Sequence, residues 1–92
     1  MKYTAILGDK FIIEPFETLP LKLDHTQAIL PATVVYGGRN QVYIYTDLEY
    51  NVGQCVSIGG YSVGGKKFRL IELSITDYPV LDNALITEKE KI

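Results

Sequence analysis

The run most suggestive of chemistry is Gly60-Tyr61-Ser62-Val63-Gly64-Gly65-Lys66-Lys67, which satisfies G-x-x-x-x-G-K, the front of a phosphate-binding loop. That chemistry needs two further things. The next position must carry a hydroxyl to hold Mg²⁺, and here it is Lys67. The loop must also open a helix whose N-terminal amides face the phosphates, whereas Phe68 onward alternates as a strand does. The residues therefore predict a glycine-rich hairpin, with no nucleotide and no other cofactor.

His25 is the only histidine, with Asp24 beside it in sequence. A nucleophile–histidine–acid arrangement would have to recruit Ser57, Ser62 or Ser74 through the fold, and no nucleophile elbow marks any of them. One cysteine and one histidine fall short of the three or four ligands a zinc site wants, and the acidic residues lack calcium-loop spacing. No metal site is expected. Cys55, next to Val56 and far in sequence from any basic residue, reads as a small hydrophobe in a strand rather than a reactive thiol. No catalytic residue is assigned, and the chain reads as a non-enzyme. A small ligand-binding barrel or minor enzyme around His25 is the remote alternative.

Two clusters bear on binding. Lys66, Lys67 and Arg69, interleaved with Phe68 and close to Tyr61, are the one basic and aromatic group, of the kind small barrels use to stack single-stranded nucleic acid. Strand alternation sends Lys67 and Arg69 to one side and Phe68 to the other, which argues against a shared groove. The second cluster comes from seven tyrosines in a chain without tryptophan. In Gln41–Thr46, Val42 and Ile44 take one face and Tyr43 and Tyr45 the other. The aliphatic pair suits a core because it has no hydroxyl to satisfy, so Tyr43 and Tyr45, with Arg39 in the adjoining loop, are expected as an exposed interface stripe.

The whole chain sets limits on these readings. Its 92 residues are 47% hydrophobic and 22% charged, as expected for one globular domain. Nine basic and eleven acidic side chains give a net charge of −2. A mildly acidic chain displaces few counterions, so nucleic acid is an unfavoured partner. No apolar run is long enough to cross a bilayer, and none near Met1 forms a secretory leader. A soluble, cytoplasmic or virion-associated protein without membrane contact is expected. The single cysteine, Cys55, closes no internal disulfide and fits a reducing compartment.

The elements that must position these groups are strands. Tyr3, Ala5 and Leu7 alternate with Lys2 and Thr4, and a turn at Gly8-Asp9 predicts a return through Phe11–Glu14. Leu19, Leu21 and Leu23 alternate next, and Asp24 then caps a predicted short helical turn over His25–Leu30. Thr33–Tyr36 and Gln41–Thr46 flank Gly37-Gly38-Arg39-Asn40 as the strongest hairpin. Leu48, Tyr50 and Val52 alternate as a further strand. Cys55–Ile58 and Lys67–Ile75 read as a pair, and the apolar phase change between Leu70 and Ile71 predicts a bulge or a strand shared between two faces. From Val80 to Ile92, the helical spacing of Leu81, Leu85 and Ile92 competes with a strand at Ala84–Thr87. Glu88–Lys91 reads as the start of a short polar end at about residues 88–92.

The expected fold is a single all-β domain over residues 1–92, with about six to seven short strands and at most one or two short helical turns. A small barrel, closed or partly open, is preferred to a compact sandwich because closure removes bare edges. The V-G-x-x-V-x-I-x-G cadence over Val52–Gly60 recurs in unrelated small barrels, some of them adaptors and accessory proteins of bacteriophage particles. The leading expectation is a protein-binding or assembly module, of phage, viral or mobile-element accessory type, that docks through a tyrosine-bearing face or edge onto another protein or its own copy. The alternative is a single-stranded nucleic-acid binder built on Lys66, Lys67, Phe68, Arg69 and Tyr61.

Overall fold

In β5 (Gln41–Thr46) the alternation resolves as the physics of the side chains demands: Val42 and Ile44 are wholly buried and Tyr43 and Tyr45 face outward. The computed structural model describes residues 1–91, and the same two-residue period sorts most of it. The other strands are β1 (Lys2–Ile6), β2 (Ile12–Ile13), β3 (Thr18–Leu23), β4 (Ile29–Gly38), β6 (Val56–Gly64), β7 (Lys67–Ile75) and β8 (Leu85–Glu90). No helix occurs among the described residues, so none can cross a membrane. Two-residue β2 brings the strand count to eight.

The strands form one sheet in the order β2-β7-β3-β4-β5-β1-β8, with β6 on the remaining edge of β7. β7 therefore takes β6 antiparallel along its whole length, and takes β2 and then β3 in parallel along its other side. The far end of the sheet returns to the residues leading into β6. A single bridge joins Cys55 to Leu85, and backbone bonds run from Gly53 to Ile86 (2.8 Å), Ile86 to Gln54 (2.9 Å) and Val56 to Ala84 (3.0 Å). The sheet is not closed: it is stitched at one end of its seam and free at the other, an arrangement compatible with a small, partly open barrel or a sandwich.

The core draws on every strand. Tyr3 is its one aromatic at zero exposure, and its hydroxyl is satisfied: it donates to Leu48 O at 2.7 Å and accepts from Tyr50 N at 3.0 Å. The β4–β5 connection is a primed turn, with Arg39 and Asn40 at φ of 51° and 59°, and Asn40 does more than turn the chain. Its side-chain oxygen accepts from Ile13 N (3.0 Å), while its amide nitrogen donates to Gly8 O (2.9 Å) and to Phe11 O. One side chain thus anchors the segment between β1 and β2.

Phe11–Glu14 does not return against β1. β1 pairs with β5 and β8, while β2 joins β7 in parallel. Parallel pairing with β7 outcompetes the local hairpin because it buries Ile13, while Ile12 faces solvent. His25–Leu30 forms no helical turn. Asp24 and His25 adopt left-handed φ values of 51° and 55° in a tight turn closed by Thr26 N to Leu23 O, and Ile29 already belongs to β4. Leu48–Val52 is not a strand but a loop held over Tyr3. Leu23 is exposed rather than core. Glu88, Lys89 and Glu90 continue β8 against β1, so the polar end begins as paired strand, and Ile92 lies outside the described residues. The expected bulge is present. Gly59 pairs with Glu72 and Gly60 with Leu70, leaving Ile71 as the extra residue.

Candidate functional site

β3, β4 and β5 together build an outward panel free of charge. Tyr43 stands opposite Val35, and Val35 opposite Thr18; Tyr45 stands opposite Thr33, and Thr33 opposite Pro20. None of these six side chains is ionisable near neutral pH, whereas the neighbouring outward positions on β1 and β8 include Lys2, Glu88 and Glu90. The panel is fixed by small details. A Cβ on Gly37 would lie 3.2 Å from the Tyr43 ring, so the glycine leaves room for that ring to lie close over β4. On the other side the Lys2 ammonium sits 4.2 Å from the centre of the Tyr43 ring, a cation–π contact that holds the ring in place. Tyr45 is freer, at 37% exposure. It borders a cleft of about 440 Å³ lined also by Pro31, Ala32, Thr33, Thr46 and Asp47. Arg39 stands exposed at the turn beyond the panel.

The basic and aromatic group is arranged differently. Lys66, Lys67, Arg69 and Tyr61 are exposed on the hairpin of β6 and β7, but Phe68 turns inward and packs on Phe11 with ring centres 4.9 Å apart. Arg69 is engaged. Its guanidinium meets Glu14 at 3.0 Å and lies 6.0 Å from the Tyr61 ring centre. Hydrogen bonding to Tyr61 and to Glu14 holds its pKa above the ordinary guanidinium value. One ring is thus turned inward and one cation paired, so the five residues do not share one exposed face. The G-x-x-x-x-G-K run is a β-hairpin whose turn lies at Gly65-Lys66, with no helix N-terminus to meet phosphates.

The fold brings His25 to Ser74, one of the three serines considered, and adds an acid that sequence reasoning missed. Glu72 is nearly buried on β7, and its carboxylate meets His25 Nδ1 and lies 3.7 Å from Lys22 Nζ. Ser74 Oγ lies 3.3 Å from the same Nδ1, 3.5 Å from Glu72, and accepts the backbone N–H of His25 at 3.0 Å. A serine–histidine–acid relay needs the acid and the serine on opposite ring nitrogens. Here both meet Nδ1. The cluster is a latch that ties the β3–β4 turn to β7, and Asp24 N donating to Ile75 O (3.0 Å) reinforces it. A signal for it existed in the sequence: Glu72 is an acid inside the apolar run Leu70–Ile75, and such a charge needs partners.

Ser57 and Ser62 lie elsewhere. Ser57 is buried and accepts Val80 N at 3.0 Å, and Ser62 is exposed on β6. Cys55 is half-buried at the seam of the sheet rather than in the core. No group of three or more metal-ligating side chains gathers among the described residues. The chain matches no protein-family model, no curated protein and no solved structure.

Proposed function

We propose that this chain is a non-enzymatic protein-binding module and that the Tyr43–Tyr45 panel is its docking surface. The observation that carries the reading is an uncharged patch on the outer face of β3, β4 and β5, in which two tyrosine rings stand among Thr18, Pro20, Thr33 and Val35. Tyrosine suits such a role. Its ring buries a large area at little entropic cost, and its hydroxyl keeps a partner in either state. The partner's surface is apolar where it covers the rings, with a side chain that enters the cleft beside Tyr45 and an acidic group opposite Arg39. Arg39 forms no ion pair among the described residues.

The test places a photo-crosslinking residue at Thr33, opposite Tyr45 on β4, and compares the parent chain with Tyr43→Ser/Tyr45→Ser in the native host. A defined adduct in the parent that fades in the folded double variant supports the panel. An interface anchor contributes upward of about 2 kcal/mol, so affinity for that partner falls at least ~30-fold. An equal adduct in both, or none in either, removes the proposal.

A further inference from the structure

The outer edge of β6 is open where edges are usually guarded. Natural sheets protect an edge strand by brevity, proline, or charge placed on it. β6 is nine residues long, contains no proline and no charged residue, and shows Tyr61 and Val63 to solvent at 49% and 37% exposure. Val56 donates its N–H to Ala84, away from β7. By alternation Gly60 and Ser62 also point their N–H and C=O groups away from β7. Among the described residues no strand takes them, because the bridge at Cys55 ends the seam and the loop from Thr76 to Ala84 covers only the start of β6.

The ends of this edge say what covers it. The hairpin tip carries Lys66 and Lys67, and the loop beside the start of β6 carries Asp77 and Asp82. All four side chains are exposed, and none forms an ion pair among the described residues. When two copies of β6 lie antiparallel about a twofold axis at Tyr61, Gly60 of each exchanges hydrogen bonds with Ser62 of the other. The two Tyr61 rings then cover one another. The same operation carries each basic tip to the acidic loop of the opposite copy. We propose that a second copy of this chain pairs with the first through the β6 edge, as an isologous antiparallel dimer.

The inference does not rest on the tyrosine panel. β5 is separated from β6 by β7, β3 and β4 in one direction and by β1 and β8 in the other, so pairing at β6 leaves both panels free. A dimer would present two docking surfaces.

Light scattering after size exclusion, at rising concentration up to about 1 mM, tests the proposal. The expected mass climbs from 10.3 kDa toward twice that value. Ser62→Pro removes one outward N–H while leaving the β7 ladder intact, and stays at the monomer mass with an unchanged circular dichroism spectrum. Lys66→Glu/Lys67→Glu and Asp77→Lys/Asp82→Lys each weaken association at least ~10-fold, and the four changes combined restore it, since a like-charge contact becomes an opposite-charge one. A parent chain that stays monomeric throughout overturns the inference. So does a dimer that survives Ser62→Pro, or paired charge changes whose effects merely add. Tyr43→Ser/Tyr45→Ser leaves the dimer mass unchanged. Loss of the dimer in that variant would assign self-association to the panel and overturn pairing at β6.

Discussion

The hairpins β4–β5 and β6–β7 use the same local grammar and meet opposite fates. Each joins strands rich in β-branched and aromatic residues through a short turn at left-handed φ, and each carries a bulge near that turn. β4–β5 sits between β3 and β1, and its inward residues Val34, Val42 and Ile44 have no exposed surface. The distal part of β6 has a neighbour on one side only, and Gly60–Gly64 are all exposed. Local residues make a hairpin, but neighbours decide whether it is wall or edge. The first hairpin holds the docking panel rigid, and the second leaves backbone groups for another chain.

The contrast is sharpest in stability. Ile44→Ala removes a wholly buried side chain and should cost about 2–5 kcal/mol in chemical denaturation, whereas Val63→Ala on the open hairpin should fall within about 0.5 kcal/mol. Comparable costs would mean that the β6–β7 tip is packed in solution. A smaller effect is expected at the turn of the first hairpin. Asn40→Ala deletes three side-chain hydrogen bonds and strains a left-handed position, for a loss of about 2–3 kcal/mol. Its hydrogen-exchange signature should centre on Gly8–Ile13 rather than on β5. Exchange confined to the turn would show that the anchor is local.

The smallest effect concerns the loop over Tyr3. Lys89 on β8 pairs with Glu49, and that hydrogen bond holds the Glu49 carboxyl below the usual range while raising the Lys89 pKa. A carboxyl lowered on folding stabilises the protein at neutral pH, and the gain is lost as pH falls through its folded pKa. As pH falls through and below the usual carboxylate range, Glu49→Gln should therefore flatten the acid dependence of melting slightly. An unchanged profile would mean that the exposed pair contributes nothing measurable.

What the residues disclosed in advance was short-range. Val42 and Ile44 against Tyr43 and Tyr45 is a choice that alternation and the cost of burying a hydroxyl decide without knowledge of the fold. The bulge at Ile71 likewise shows as a break in a two-residue period. The parallel partnership of β2 and β3 with β7 could not be read, because nothing in Ile12-Ile13 names a partner some fifty-five positions away. The helical turn expected at His25 fails to form for the same reason. Asp24 and Gln27 fit a capping box, but Glu72 and Ser74 hold the segment in a turn from across the sheet. Asn40 was legible as a turn residue and not as an anchor, since its three partners lie between Gly8 and Ile13, a segment that only the assembled sheet brings near.

Residue-resolved hydrogen exchange at low and high protein concentration tests the contrast between the hairpins most directly. β5 has a strand on both sides, so the Val42, Tyr43 and Ile44 amides should exchange slowly at either concentration. The amides of Gly60 and Ser62 should exchange freely in dilute solution and become protected as concentration rises. Slow exchange of Gly60 and Ser62 in the dilute limit, equal to that of β5, would contradict an open edge. Fast exchange that persists at high concentration would contradict its use by a second copy.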